Sequence, residues 1–250
     1  MVLKSVGEIE LMHEANSLVH DVLDGIEELI RPGVTTAELD RFAEDLIRSR
    51  GAVPAFLDYK GYPATLCTSI DDVIVHGIPN DEPLRDGSIV GIDCGVRYQG
   101  YYGDAARTFA VGQASDQAVE LLRVTREALG LAVEQVRVGG RLSDIGHAVQ
   151  SHVEKHGFSV VREFVGHGIG TALHEDPQVP NFGQPGRGPR LRPGMVLAIE
   201  PMVNVGSAGV RVDADGWTAR TDDGSLSAHF EYSVALTPDG ARVLGTSRAA

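Results

Sequence analysis

The spacing of apolar residues predicts four amphipathic helices. Between residues 7 and 30, apolar side chains recur every three or four positions with acidic residues between them, as in a helix that buries one face. A second helix begins at Thr35, where Thr35 and Glu38 have the spacing of a capping box, and it ends before Gly51. Two further helices are expected, over residues 115–137 and 143–156.

The rest of the chain favours short strands. Residues 64–111 and 158–245 are rich in β-branched side chains and are interrupted by Gly and Pro, which is typical of strands and turns. Helices and strands together predict an α+β fold. No long linker or low-complexity segment divides the sequence, so we expect residues 1–250 to form a single domain.

One internal repeat indicates how the chain is organised. The segment LRDGSIVGID at residues 84–93 recurs as LRPGMVLAIE at residues 191–200, and each copy is a turn followed by a strand that ends in a carboxylate. Because turn plus strand is a common pattern, coincidence is the alternative to duplication. The acidic endpoints Asp93 and Glu200 favour duplication. Two halves related by a pseudo-twofold axis would bring both strand ends to the centre of one shared sheet.

Composition and charge exclude several classes of protein. The formal net charge of −13 disfavours nonspecific nucleic-acid binding, which needs Lys and Arg to neutralise phosphates. Acidic residues interrupt every apolar run near the N-terminus, which disfavours a secretory signal, and no stretch is long enough for a membrane span. The two cysteines, Cys67 and Cys94, provide neither a disulfide framework nor a CxxC pair, so we expect a cytoplasmic location.

Four carboxylates and two histidines carry the candidate chemistry. After Asp93 the chain turns through RYQGYYG and reaches Asp104, so a hairpin would place these carboxylates side by side. After Glu200 a Gly- and Asp-rich excursion returns in the alternating segment SLSAHFEYSVAL, which carries Glu231. The intervening segment FVGHGIGTALHEDP cannot form an HExxH zinc helix and favours a loop that closely approaches a ligand. Its two histidines are His167 and His174.

Convergence of the four carboxylates would require cations. They cannot all remain ionised in a folded interior without positive charge, and two divalent ions would balance them. Oxygen ligands with one imidazole suit Mn(II), Fe(II), Co(II) or Zn(II), whereas a structural zinc site would use cysteines. Taken singly, each acid is more commonly solvated, and His76 and His174 are more commonly ordinary loop histidines, whereas His167 alone is as commonly a loop histidine as a ligand. The hypothesis of a two-metal hydrolase therefore depends on the whole set.

The motifs extend from the first helix to about Leu244, and their order is specific. They are VHGIP with His76, GIDCG with Asp93, GYYGDAARTF with Asp104, VGHGIGTALHEDPQVPN with His167 and His174, AIEPMVN with Glu200, and SAHFEYS with Glu231. This series resembles the type I methionine aminopeptidases. The resemblance implies the pita-bread fold, in which helices lie outside a pseudo-twofold curved antiparallel sheet. It also implies removal of the initiator methionine from peptides and nascent proteins, with a small second residue preferred.

The resemblance gives each metal-site residue a role. Asp93 and Glu231 would span both metal ions, and Asp104 would complete the coordination of one. His167 and Glu200 would complete the other, and Glu200 would also shuttle a proton. A metal-bound hydroxide would be the nucleophile.

Substrate contacts are also implied by the resemblance. His76 and His174 correspond to the two histidines of the family that are not ligands, which contact the substrate and stabilise the tetrahedral intermediate. An apolar pocket would hold the methionine side chain, since aromatic and polarizable walls suit a flexible thioether. For each wall residue, ordinary core packing is the alternative. The wall residues are Tyr59, Tyr62, Cys67 and Trp217, with Phe56 and Leu173 at positions where relatives vary.

Beside Glu231 the sequence departs from the family pattern. His229 stands where many relatives have glutamine, and Tyr232 stands where many have histidine. Strand alternation puts His229 on the face of Glu231. We expect His229 to make a hydrogen bond or contact solvent, and an additional metal ligand is the alternative.

Two other functions stay open at this point. Proline-specific peptidases share the fold and the ligand series, although they usually carry a substantial N-terminal domain for which Asp93 comes too early. A noncatalytic binding module would have lost ligands, whereas all five positions are retained here. We expect a monomer that contacts the ribosome transiently and has no specific nucleic-acid or membrane partner.

Overall fold

The computed structural model describes residues 2–246, and it contains the four helices that the apolar spacing predicts. The Thr35 hydroxyl accepts the Glu38 N–H, and the Glu38 carboxylate accepts the Thr35 N–H, which confirms the capping box. The first helix has a second capping box, Ser5 with Glu8, that the sequence analysis did not identify. No helix within the described residues is long and apolar enough to cross a membrane. The helices are α1 (Val6–Leu29), α2 (Thr36–Ser49), α3 (Asp116–Glu134) and α4 (Leu142–Lys155).

Short strands fill the two regions where they are predicted, and every strand pair in the described part of the chain is antiparallel. The two-residue strand Val53–Pro54 and a 3-10 helix at Tyr59–Gly61 lie before the first predicted region. The strands are β1 (Val53–Pro54), β2 (Leu66–Ile70), β3 (Val73–Val75), β4 (Ile89–Tyr98), β5 (Tyr101–Ala110), β6 (Ser159–Val160), β7 (Gly166–Gly168), β8 (Glu175–Val179), β9 (Val196–Ile199), β10 (Met202–Asn204), β11 (Val210–Val212), β12 (Ala219–Thr221), β13 (Ser227–His229), β14 (Tyr232–Thr237) and β15 (Gly240–Val243).

The strand ladders form four sheets rather than one continuous sheet. One sheet contains β4 with β1, β2 and β5, and another has the order β15-β14-β9-β7-β8. The remaining sheets have the orders β13-β10-β6 and β11-β12-β3. Hydrogen bonds connect the sheet that contains β4 and β5 with the chain around β14. The Glu231 N–H donates to the Ala106 carbonyl at 2.9 Å, the Thr108 hydroxyl donates to the His229 carbonyl at 2.8 Å, and the His229 N–H donates back to the Thr108 hydroxyl at 2.9 Å. The hairpin that carries Asp93 and Asp104 therefore meets the segment that carries Glu231 at a junction between sheets.

The element order supports the duplication that the repeat indicates. In each half two helices precede the repeated turn and strand, and β9 begins 107 residues after β4. Each half also has its own apolar core. One core packs α1 and α2 against β4, and the other packs α3 and α4 against β9 and β14. A site between the halves thus has a separately stabilised wall on each side.

Candidate active site

The first carboxylate pair lies on the β4–β5 hairpin. Gln99 and Gly100 form its two-residue turn with positive φ angles of 48° and 88°, which suits the twist of an antiparallel pair. Asp93 is opposite Ala106, and Asp104 is opposite Gly95. The two aspartates are therefore diagonal neighbours on one face of the sheet, as the sequence predicts.

The second carboxylate pair lies at strand ends. Glu200 follows the last residue of β9, and its backbone carbonyl accepts a hydrogen bond from the Asn181 side chain at 2.8 Å. Glu231 immediately precedes β14, where its N–H is bonded to Ala106, the cross-strand partner of Asp93. This bond brings the Glu231 backbone next to the aspartate pair.

His167 faces the carboxylates from β7, a short strand where the sequence indicated a loop. Its neighbour across the ladder is Ala198 on β9. The Nδ1 atom lies 2.9 Å from the Gly168 carbonyl, which assigns the proton to Nδ1. The lone pair on Nε2 then faces carboxylate oxygens of Glu200 at 3.6 Å and Asp104 at 3.9 Å. An imidazole whose Nδ1–H is bonded to a backbone carbonyl presents its Nε2 to a cation.

The carboxylate cluster has few donors to neutralise it. One buried oxygen each of Asp93, Asp104 and Glu231 accepts no hydrogen bond from any residue that the structure describes. Burial, with repulsion from Glu200, raises the pKa of Asp93 to about 7, although His229 opposes this shift. Burial and the neighbouring carboxylates also raise the pKa of Asp104 and of Glu231 well above their usual range. Such a cluster favours neutral acids unless cations are present.

The donor set fits divalent metal ions. Ligand atoms of Asp104, His167 and Glu231 lie within 4.8 Å of one another, and the orphaned oxygens provide further unused lone pairs beside them. Hard carboxylate oxygens with one imidazole suit first-row divalent ions. The structure thus brings all five predicted ligands to one cavity, whose lining includes Asp93 and Glu200.

His174 lies beside this cluster in the loop before β8. Its ring is 4.2 Å from the His167 ring, centroid to centroid, and it stacks on Tyr59. The Tyr59 hydroxyl is 2.9 Å from His174 Nδ1. Burial, together with the electrostatic interaction with the nearby His167 imidazole, lowers the pKa of His174 to about 4. His174 is therefore neutral at pH 7, and a hydrogen bond donated by Tyr59 leaves its proton on Nε2.

His76 approaches the cavity from the end of β3. It has a left-handed φ of 60°, a strained conformation for a residue other than glycine. Its ring lies edge-on to Phe164 and Trp217. Burial lowers the pKa of His76, so the imidazole is neutral near pH 7.

The predicted pocket residues line the same cavity, which has a volume of about 190 Å³. Tyr62 is buried, donates from its hydroxyl to the Leu66 and Gly77 carbonyls, and lies edge-on to Trp217. Cys67 is directly opposite Asp93 across the β2–β4 ladder, and burial raises the pKa of its thiol. The thiol is therefore a packing group and not a nucleophile. The other apolar wall residues are Phe56, Tyr59, Leu173 and Trp217.

Several residues at this site were not predicted. Lys60 lines the cavity. Asn16 accepts the Asp104 N–H at 3.2 Å, and the Ser233 hydroxyl donates to the Asp104 carbonyl at 2.9 Å. Asn16 is a fully buried polar residue on the apolar face of α1, and that break in the hydrophobic pattern is a signal that could have identified it.

Comparisons with known proteins agree with this geometry. The model of metallopeptidase family M24 matches residues 10–238. A methionine aminopeptidase of Clostridium perfringens is 52% identical over 98% of this chain and 98% of its own length. The crystal structure of methionine aminopeptidase from Rickettsia prowazekii has a TM-score of 0.97 and 42% identity, covering 98% of this chain and 100% of that one. The enzyme from Thermotoga maritima gives 0.97 and 44%, covering 99% and 100%.

These similarities extend through the whole fold and not merely through the motifs. They confirm the pita-bread fold that the resemblance implies. The site contains the oxygen and nitrogen donors that a metallopeptidase needs. The chain belongs to metallopeptidase family M24 and, within it, to the type I methionine aminopeptidases.

Proposed function

We propose that this enzyme removes the N-terminal methionine from peptides and nascent proteins with two divalent metal ions, and that it prefers a small second residue. The observation that carries the proposal is the group of buried carboxylate oxygens without hydrogen-bond donors, beside His167 and an apolar pocket. Four carboxylates balance two divalent charges. The proposed ligands are Asp93, Asp104, His167, Glu200 and Glu231. Cobalt, manganese, iron and zinc all suit this donor set.

The protein residues have separate tasks in the proposed reaction. Divalent ions at this site would supply a water activated at neutral pH and an electrophile for the scissile carbonyl. Glu200 is partly exposed, as is Asp93, and the Glu200 oxygens lie 3.6 Å from His167 and 3.6 Å from His229. An acid with solvent access between two imidazoles can accept a proton from the attacking water and pass it to the leaving amine.

His174 would act on the carbonyl oxygen. Because it is neutral and its Nδ1 contacts the Tyr59 hydroxyl, its Nε2–H is available as a hydrogen-bond donor. A donor directed at developing negative charge stabilises the transition state more than the ground state. His76, neutral and held between Phe164 and Trp217, would contact the peptide on the other side of the cavity.

Methionine selection would come from the apolar wall. Tyr62 and Trp217 are held at right angles, so the pocket has rigid aromatic faces on which a thioether can pack. The preference for a small second residue is supported by the family relationship. We further propose that the enzyme is a cytoplasmic monomer that meets its nascent substrates at the ribosome.

One experiment separates this proposal from its rivals. Metal content of the purified protein is measured by mass spectrometry, and the same preparation is assayed on Met-Ala-Ser, Met-Leu-Ser and Leu-Pro-Ser peptides. We expect two ions per chain and rapid cleavage of Met-Ala-Ser alone, with Asp104→Asn as the inactive control. Cleavage of the proline peptide instead would indicate a proline-specific peptidase. Metal-free protein that stays inactive after metal addition would indicate a binding module.

A further inference from the structure

A buried ion pair joins the N-terminal segment to the loop that carries His174. Lys4 Nζ lies 2.5 Å from Glu175 Oε2, although the two residues are 171 positions apart. The Lys4 side chain is 3% exposed and that of Glu175 is 15% exposed. Among the described ion pairs formed by Lys or Arg, this one has the most buried cation. A pair so far from water is unlike the surface pairs that contribute little.

Glycines make room for Lys4 on both sides. A Cβ atom at Gly170 would lie 2.3 Å from Lys4 Cε and 2.6 Å from its Nζ, so a larger residue would displace the amine. The Lys4 N–H donates to the Gly194 carbonyl at 2.7 Å. Gly194 precedes β9, the strand that leads to Glu200. Lys4 therefore lies between the turn before β9 and the loop before β8.

Glu175 organises that loop through its other oxygen. Its Oε1 atom accepts the N–H groups of Thr171 at 2.9 Å and Ala172 at 3.3 Å. Leu173 and His174 follow immediately, and both line the candidate active site. Without Lys4 the carboxylate would be buried with no cation beside it, a situation that costs a protein far more than loss of a surface charge. The least costly relief is movement of Glu175 toward solvent, which would release Thr171 and Ala172.

We propose that Lys4 is a positioning residue for His174: through Glu175 it holds the 170–175 loop so that the His174 ring faces the substrate. This inference rests on the proposed role of His174 as a donor to the substrate. The alternative is that the ion pair merely contributes to folding stability. The two readings differ in whether loss of Lys4 matters once His174 has been removed.

The test is a double-mutant cycle on the full chain with saturating metal. Lys4→Met should lower kcat for Met-Ala-Ser by roughly 10- to 100-fold, the effect of a small misplacement of a catalytic group, with metal content unchanged. In the His174→Ala background the same substitution should change kcat by less than about 2-fold, because Lys4 acts through His174. Adding Glu175→Gln to Lys4→Met should recover most of kcat, since the amide oxygen still accepts both N–H groups and no charge is unpaired.

Arg242→Met is the matched control. It breaks an ion pair between Arg242 and Glu10 that also joins α1 to a distant strand, but the pair does not touch the 170–175 loop. We expect its kcat to stay within about 2-fold of wild type. If Lys4→Met does not fold, Glu175→Gln alone provides the test. It leaves Lys4 without a carboxylate partner, so we expect a smaller loss of kcat than for Lys4→Met, and that loss should vanish in the His174→Ala background.

The outcomes are distinguishable. A normal kcat for Lys4→Met, or a loss that multiplies with that of His174→Ala, would overturn the inference and leave the role of His174 intact. A normal kcat for His174→Ala would overturn the role of His174 in the proposed function, and this inference with it.

Discussion

The two carboxylate pairs are built in different ways by the two halves of the fold. Asp93 and Asp104 lie inside long paired strands, β4 and β5, joined by a two-residue turn. Glu200 and Glu231 lie just outside β9 and β14, and the chain between them forms β10 to β13. A regular ladder holds the first pair. In the second pair, the Glu200 carbonyl accepts a hydrogen bond from the Asn181 side chain, and the Glu231 N–H donates one to the Ala106 carbonyl.

The irregular half also contributes an aromatic wall of the candidate pocket. Between Glu200 and Glu231, the β11–β12 hairpin crosses to pair with β3, which ends next to His76. This crossing brings Trp217 against Tyr62, a residue of the first half. The longer chain between Glu200 and Glu231 thus contributes a wall of the cavity.

The largest effect should come from removing one carboxylate of either pair. Asp104→Asn and Glu231→Gln should each lower metal occupancy and nearly abolish turnover, because the metal cluster needs both halves. Metal content and kcat on Met-Ala-Ser are the measurements. Full occupancy with wild-type turnover in either variant would remove that residue from the ligand set, and an effect confined to one pair would show that the halves do not share the cluster.

The next largest effect should come from His174→Ala, because His174 is proposed to contact the substrate and is not a member of the ligand set. Loss of one transition-state donor lowers kcat by about 100- to 1000-fold. Both metals should stay bound, since the nearest ligand, His167, keeps its bond to the Gly168 carbonyl. Metal stoichiometry, thermal stability and kinetics are compared on one preparation. Parallel loss of metal and activity would make His174 a ligand.

Trp217→Ala tests whether the β11–β12 hairpin contributes to substrate specificity. We expect kcat/KM for Met-Ala-Ser to fall by about 10- to 100-fold, as for loss of a large apolar contact in a substrate pocket, with metal content unchanged. Val212→Ala is the control, because Val212 is exposed on the same hairpin and does not line the cavity. An equal loss in both variants would mean that the hairpin matters for folding rather than for the pocket.

The regular half is also the part that the sequence predicts well. Strand alternation and a tight turn suffice to place Asp93 and Asp104 on one face, and the repeat relates Asp93 to Glu200. The position of His167 on a strand was not predicted, because a three-residue strand in which the histidine lies between two glycines has no periodicity to detect. Long-range contacts, such as Lys4 with Glu175, leave no local pattern either. The roles of the site residues remain predictions.

His229 should give the smallest effect and the finest test of the irregular half. His229 is the last residue of β13, and Glu231 follows in the short connection before β14. The His229 Nε2 atom has no hydrogen-bond partner among the described residues. That atom is 3.6 Å from Glu200 Oε2, while the other Glu200 oxygen is 3.6 Å from His167. A small shift of Glu200 would convert the contact into a hydrogen bond and leave its other oxygen for a metal.

His229→Gln restores the residue of many relatives and keeps a side-chain donor, so kcat should change by no more than about 3-fold. His229→Ala removes the donor and should weaken metal affinity by roughly 10-fold while two ions still bind at saturation. Peptide hydrolysis measures kcat, and a calorimetric titration of the metal-free protein with Mn(II) measures metal affinity. A lost binding site in His229→Ala would instead make this histidine a ligand and extend the set of five.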